Sequence, residues 1–92
     1  MTGAEAELIA IRALGWLAGQ DEIWPVFLAA TGASPGDLRT AAADPAFLGA
    51  VLDFLTQSDA TVIAFCDAEA LAYTVPLAAR RALPGGAEMN WT

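Results

Sequence analysis

The chain has 92 residues, an apolar fraction of 57% and a formal net charge of −7. This length fits one domain and is too short for two. The charge disfavours binding to nucleic acid or to an acidic membrane surface, because both carry negative charge themselves.

Cysteine usage and the N-terminal segment bear on the compartment. Cys66 is the single cysteine, so no disulfide can form within the chain, as is typical of a reducing compartment. The N-terminal segment carries acidic residues where a secretion signal has basic ones, and no apolar run is long enough to span a bilayer. We therefore expect a cytoplasmic protein that does not bind membranes.

The composition favours helices, because alanine is abundant and β-branched residues do not alternate with polar ones over a run long enough to form a strand. Thr2 followed by Glu5 forms a capping box, which predicts a first helix over 3–18. Its predicted core stripe consists of Ala10, Ile11, Leu14, Leu17 and Ala18.

Two short helices are predicted next. Residues 22–31 form the first, because Pro25 then lies in the first turn, where proline is tolerated, and Gly32 supplies a stop. Ser34 is a predicted N-cap for a helix over 35–42.

The central helix of the predicted fold covers 44–58. Asp44 can cap it, and the following proline suits the first helical position. Gly49 and Asp53 lie on its predicted outer arc, with the other small and polar residues. The large apolar residues share the opposite arc, which predicts a helix packed on a core. They are Phe47, Leu48, Val51, Leu52, Phe54 and Leu55.

Two further helices complete the prediction. One covers 60–68 after a cap at Ser58, with Val62, Ile63, Phe65 and Cys66 clustered on one side. The other covers 75–83, preceded by a segment over 69–73 that is unusually apolar for a loop. Arg80 and Arg81 lie in the last turn of this helix, where cations are favoured. We interpret both side chains as solvated. The predicted domain is 1–86, and the tail 87–92 is expected to be loose.

The sequence contains little that could carry catalysis. It has no His and no Lys, so most acid–base and Schiff-base chemistry is absent. Most acidic residues fall at predicted helix starts, where capping explains them. Cys66 lies in a predicted apolar cluster and has no neighbouring base that could lower the pKa of its thiol. We therefore expect no enzyme, no metal site and no cofactor.

Apolar residues that share a helix face with charges suggest an interaction patch. Ile9, Arg12, Trp16 and Val26 are its candidate residues. Either another helix or the C-terminal tail covers the apolar ones, or they dock a partner, which could be another protein or a second copy. The favoured function is a non-enzymatic protein-interaction module.

An alternative function is a small nucleic-acid-associated regulator that uses the few basic side chains of the chain. The acidic balance disfavours it. Its candidate residues are Arg39, Arg80 and Arg81.

Four stretches carry a resemblance that covers nearly the whole chain. They are ALGWLA at 13–18, FLAATG at 27–32, DPAFLGAVLDFL at 44–55 and ARRALPGG at 79–86. Together they resemble a bacterial family of small helical proteins, the domain-of-unknown-function family 3572. The resemblance implies an all-helical cytoplasmic protein and no particular activity. The expected fold is thus all-α, a compact single-domain bundle of five or six short helices.

Overall fold

The computed structural model describes residues 1–84, in which the chain forms six α-helices and one 3₁₀ turn. No strand occurs in these residues, so the predicted all-α class is confirmed. The predicted tail 87–92 lies outside the described residues. The elements are α1 (Gly3–Ala18), α2 (Trp24–Thr31), a 3₁₀ turn (Pro35–Asp37), α3 (Leu38–Ala41), α4 (Pro45–Thr56), α5 (Asp59–Glu69) and α6 (Val75–Arg81).

Side chains immediately before the helices supply most of the predicted caps. In the capping box of α1, the Thr2 N–H donates to Glu5 Oε1 at 2.8 Å and the Glu5 N–H donates to Thr2 Oγ1 at 3.1 Å. Asp44 Oδ1 accepts from the second residue of α4 at 3.0 Å, and Ser58 caps α5 in the same manner. These helix starts follow from local hydrogen bonding, because each orphan N–H needs an acceptor.

Ser34 occupies the predicted N-cap position, but its side chain does not cap the backbone. Its hydroxyl donates to Asp37 Oδ2 at 2.6 Å and accepts no backbone hydrogen bond. The predicted helix over 35–42 is accordingly divided into the 3₁₀ turn and the single turn of α3. Several other bounds differ from the predicted ones by one or two residues. Helix α2 begins at Trp24, α4 covers Pro45–Thr56, α5 covers Asp59–Glu69 and α6 ends at Arg81.

Helices α1, α4 and α6 pack against one another and form the centre of the domain. Helix α2 packs on α1 and α4, and α5 packs on α4. The domain measures 34 × 27 × 24 Å. Its buried apolar side chains come from all of these helices: Ala6, Ala10, Ala13, Leu17, Phe27, Leu48, Val51, Leu52, Leu55, Phe65, Cys66, Ala79 and Leu83.

Phe27 joins α2 to α4 through an aromatic cluster. It is fully buried, and its ring lies 5.3 Å from that of Trp24, 6.2 Å from Phe47 and 5.3 Å from Phe54. The two contacts with α4 are edge-to-face, the arrangement in which the positive ring edge meets a negative ring face. This cluster explains why Phe47 and Phe54 lie on the inner arc, as predicted.

The buried face of α1 differs from the prediction. Ile11 and Ala18 are exposed, and the buried stripe consists of Ala6, Ala10, Ala13 and Leu17. At 100° per residue the true core face is rotated by about 70° from the predicted one. Small side chains let α4 and α6 approach α1 closely, so three alanines occupy the most crowded arc and larger residues lie outside it.

Two other facing predictions are also wrong. Gly49 is buried, because the guanidinium of Arg80 and the carbonyl of Pro84 lie against it. A Cβ at this position would meet Arg80 Nη1 at 3.2 Å, so only a glycine leaves this approach unobstructed. Ile63 is 43% exposed, while Phe65 and Cys66 of the same predicted cluster are buried.

Ala70 ends α5 in the left-handed region, with φ 57°. This conformation costs an alanine about 1–2 kcal/mol and a glycine almost nothing. We expect Ala70→Gly to raise the free energy of unfolding by about 0.5–1 kcal/mol, after allowance for the greater freedom of the unfolded chain. Urea denaturation measures the change. Ala64→Gly inside α5 is the matched control and should lower stability by about 1 kcal/mol; equal losses in both variants would contradict the assignment.

No single helix within residues 1–84 is both long and apolar enough to cross a membrane. Helices α4 and α5 together have sufficient length and apolar composition, but the chain bends by 109° between them.

Candidate interaction surface

One face of α1 borders an open groove of about 650 Å³. The opposite wall comes from the segment that joins α5 to α6 and from the start of α6. Glu5 and Arg12 are the charged residues of the lining, and every other lining side chain is apolar. The lining residues are Met1, Glu5, Leu8, Ile9, Arg12, Leu71 and Val75.

Leu8 is the most prominent apolar side chain of this surface. It is 62% exposed, although it lies in the middle of a long helix. Ile9 beside it is half-buried, as are Leu71 and Val75 across the groove. Ile11 continues the exposed apolar surface on the neighbouring arc of α1. An exposed patch of this kind, bordered by charges, is typical of a protein-binding surface.

Arg12 has a structural contact as well as a place in the groove. Its Nε donates to Glu69 Oε1 at 3.0 Å and its Nη2 donates to the Glu69 carbonyl at 2.9 Å. The second bond occupies a carbonyl oxygen in the last turn of α5, where a cation is favoured. Arg12 therefore fixes α1 to the end of α5 and with it one end of the groove.

Glu5 lies in the first turn of α1 and remains charged under ordinary conditions. The hydrogen bond that the Thr2 backbone N–H donates to it holds the pKa of the Glu5 carboxyl below its usual value, and the bond to the Thr2 side chain adds to the effect. The groove thus presents the Glu5 carboxylate near the start of α1 and the Arg12 guanidinium about two helical turns further along the helix.

The four predicted patch residues do not form one surface. Ile9 and Arg12 both line the groove, whereas Trp16 and Val26 do not. Trp16 is half-buried, and its ring meets that of Phe65 edge-to-face at 5.7 Å. Val26 is 57% exposed on α2, outside the groove.

The three arginines of the nucleic-acid alternative differ in exposure to solvent. Arg80 is buried and forms an ion pair with Asp53, so its predicted solvated position is wrong. Arg39 on α3 and Arg81 at the end of α6 are exposed. A surface that binds phosphates needs several cations close together.

Cys66 is buried in the core, as the sequence predicted. Its Sγ lies 3.5 Å from the Ala72 carbonyl oxygen. Burial raises the pKa of the Cys66 thiol, with a smaller contribution from the negative charge of Asp67. A thiol in this state is a poor nucleophile, because the thiolate is the reactive form.

Comparison with known proteins places the chain in a family. A family model described as "Protein of unknown function (DUF3572)" matches residues 3–86. The chain belongs to this family. The resemblance seen in the sequence is thereby confirmed, and the match includes all six helices of this DUF3572 domain. No curated protein and no solved structure matches the chain.

Sequence reasoning missed several residues that line the groove of this DUF3572 domain, among them Leu8, Leu71 and Val75. Leu8 shares the helical stripe of Glu5, Ile9 and Arg12, a signal that the misplaced core face of α1 obscured. Leu71 and Val75 come from a distant part of the chain. The apolar character of 69–73 was the available signal, and Leu71 explains it, because this side chain packs against the core while bordering the groove.

Proposed function

We propose that the chain is a non-enzymatic protein-interaction module whose docking surface is the groove beside α1. The observation that carries the proposal is the coincidence of an exposed Leu8 with a groove whose lining is apolar except for Glu5 and Arg12. Aliphatic side chains of this kind gain free energy when a partner removes them from water.

The shape of the groove favours a protein over a small molecule. A small-molecule site encloses most of its ligand and directs several polar groups at it. This groove is open, and Glu5 and Arg12 carry its only charged lining side chains among the residues that the structure describes. A projecting side chain of another protein fits such a surface better than an enclosed ligand does.

Other features of the described chain support a role without catalysis. Across residues 1–84 no group of three or more Cys, Asp or Glu side chains is placed to hold a metal ion. In the same residues, every buried side-chain nitrogen or oxygen atom has a hydrogen-bond partner, as is usual for polar atoms inside a fold. The nucleic-acid alternative is weakened, because the ion pair with Asp53 occupies Arg80 inside the fold.

Site-specific photo-crosslinking in the native cells tests the proposal. A photoreactive amino acid at Leu8 should give one or a few discrete protein adducts. The same amino acid at Ile63, an exposed apolar position on α5, is the matched control and should give none. Val75→Glu, across the groove and outside the core cluster, should abolish the adducts from position 8. Absence of adducts at position 8, or equal adducts at both positions, would overturn the proposal.

A further inference from the structure

We infer that the partner of this groove is a second copy of the chain, an inference that rests on the proposed function. The two copies are related by a two-fold axis that crosses α1 between Leu8 and Ile9. Their α1 helices then run antiparallel, and each copy presents the same surface to the other. Closed two-fold pairing of this kind is the commonest arrangement of homo-oligomers.

The order of charges along α1 fits this symmetry. Glu5 and Arg12 lie on one stripe of the helix, separated by seven positions and thus by about 10 Å along the axis. Their midpoint falls between Leu8 and Ile9, the central residues of the stripe. Rotation about this midpoint places the Glu5 position of one copy opposite the Arg12 position of the other, and two opposite-charge pairs result.

Both charged side chains keep a polar atom for this contact. Among residues 1–84, the Glu5 carboxylate accepts the Thr2 N–H at Oε1, and Arg12 donates to Glu69 through Nε and Nη2. Glu5 Oε2 and Arg12 Nη1 therefore remain available without loss of the capping box or of the bond to Glu69. Charge-assisted hydrogen bonds between a carboxylate and a guanidinium are short and strong.

The apolar residues are complementary under the same operation. Leu8 protrudes, and Ile9 with Leu71 forms the adjacent depression of the groove. The two-fold axis brings Leu8 of each copy over Ile9 of the other. One surface thus supplies both the protruding residue and the depression that receives it, as a self-complementary interface requires.

Electrostatics favour a second copy over a basic protein at this surface. The chain carries a net charge of −7, whereas the two charged side chains of the groove lining, Glu5 and Arg12, are opposite in sign. Glu69, which is bonded to Arg12, lies just outside the lining. Most acidic side chains lie away from the groove, and a basic partner would be attracted to them. Charges on two acidic copies repel each other, but salt at physiological ionic strength screens this repulsion beyond about 8 Å.

A charge-exchange experiment tests the inference. Native mass spectrometry and sedimentation at physiological ionic strength should show the unmodified chain as a reversible dimer at submillimolar concentration. Glu5→Arg and Arg12→Glu alone should each weaken dimerisation by about tenfold or more, because each homodimer then contains two like-charge pairs. An equimolar mixture of the two variants should form a heterodimer, since both pairs are again opposite in charge.

The mixture separates pairing from effects on the fold. Glu5→Arg removes a capping carboxylate and Arg12→Glu removes the bond to Glu69, so each variant loses some stability for its own reason. Neither loss is repaired by the other variant unless the two chains meet at these positions. Glu22→Arg and Arg39→Glu change the same charges outside the groove and should dimerise as the unmodified chain does.

The outcomes distinguish this inference from the proposed function. A monomeric unmodified chain, or a mixture of variants that stays monomeric, overturns pairing with a second copy. If position 8 nevertheless crosslinks to a different protein, the docking surface stands with another occupant. An adduct of twice the chain mass, together with the heterodimer, supports both.

Discussion

Leu52→Asp is expected to leave the chain unfolded at room temperature. Leu52 is fully buried in α4, the helix that packs against both α1 and α6. A carboxylate at this position loses its hydration and finds no cation, which costs several kcal/mol. The lost burial of the leucine adds about 2 kcal/mol or more. A domain of this size has a total free energy of unfolding of about 5–15 kcal/mol.

The matched control for this change is Ile63→Asp. Periodicity alone places both residues in the core, but Ile63 is exposed in the structure. We expect Ile63→Asp to cost about 1 kcal/mol or less, chiefly through helix propensity. Far-UV circular dichroism with thermal denaturation measures both variants. A folded Leu52→Asp chain would contradict the assignment of α4 as the central helix, and an unfolded Ile63→Asp chain would contradict the observed orientation of α5.

The ends of the helices could be predicted because their causes are local. Thr2, Asp44 and Ser58 each satisfy backbone N–H groups within three residues, and Gly32 adopts the left-handed conformation, with φ 71°, that ends α2. Neighbouring helices have little influence on such interactions. Ser34 is an exception, since Asp37 is close enough to accept from its hydroxyl, and Thr74 before α6 also makes no capping hydrogen bond with its side chain.

The orientation of a helix depends on what packs against it, and periodicity is a weaker guide there. Helix α1 has apolar residues on most of its circumference, so a wheel admits more than one core face. Close packing against α4 and α6 determines which face is buried, and that face is the alanine stripe. Leu8 is therefore exposed and Ile9 is half-buried, so the groove could not be located from the sequence alone.

The groove also depends on a contact between distant parts of the chain. Leu71 and Val75 follow α5, and they reach α1 because Ala70 turns the chain and Arg12 holds the end of α5. Periodicity and capping rules describe single segments and cannot reveal such a meeting. The sequence therefore predicted two members of the surface, Ile9 and Arg12, and could not predict its opposite wall.

The interaction between Arg80 and Asp53 is the other feature that required the structure. Arg80 Nε donates to Asp53 Oδ1, and Arg80 Nη1 donates to the Pro84 carbonyl at 3.2 Å. The Arg80 side chain is only 10% exposed, whereas that of Asp53 is 48% exposed. Gly49 leaves the space in which the guanidinium lies. The pair joins α6 to α4, and its two members differ in access to water.

This difference predicts an unequal response to mutation. Asp53→Ala leaves a buried guanidinium with one carbonyl acceptor, and we expect it to lower the free energy of unfolding by about 2 kcal/mol. The half-exposed position of the carboxylate lets some water reach Arg80, which keeps the loss below that of a fully buried pair. Asp21→Ala, at an exposed turn, removes the same charge and should change stability by less than about 0.5 kcal/mol.

The double variant Asp53→Ala, Arg80→Met should be more stable than Asp53→Ala alone. Methionine keeps most of the aliphatic length beside Gly49 and carries no charge, so no buried cation remains without a counterion. Urea denaturation of the unmodified chain, the two single variants and the double variant forms a complete cycle, from which the coupling energy follows. Additive losses would mean that Arg80 and Asp53 act independently, and the ion pair would then contribute nothing specific to the packing of α6 on α4.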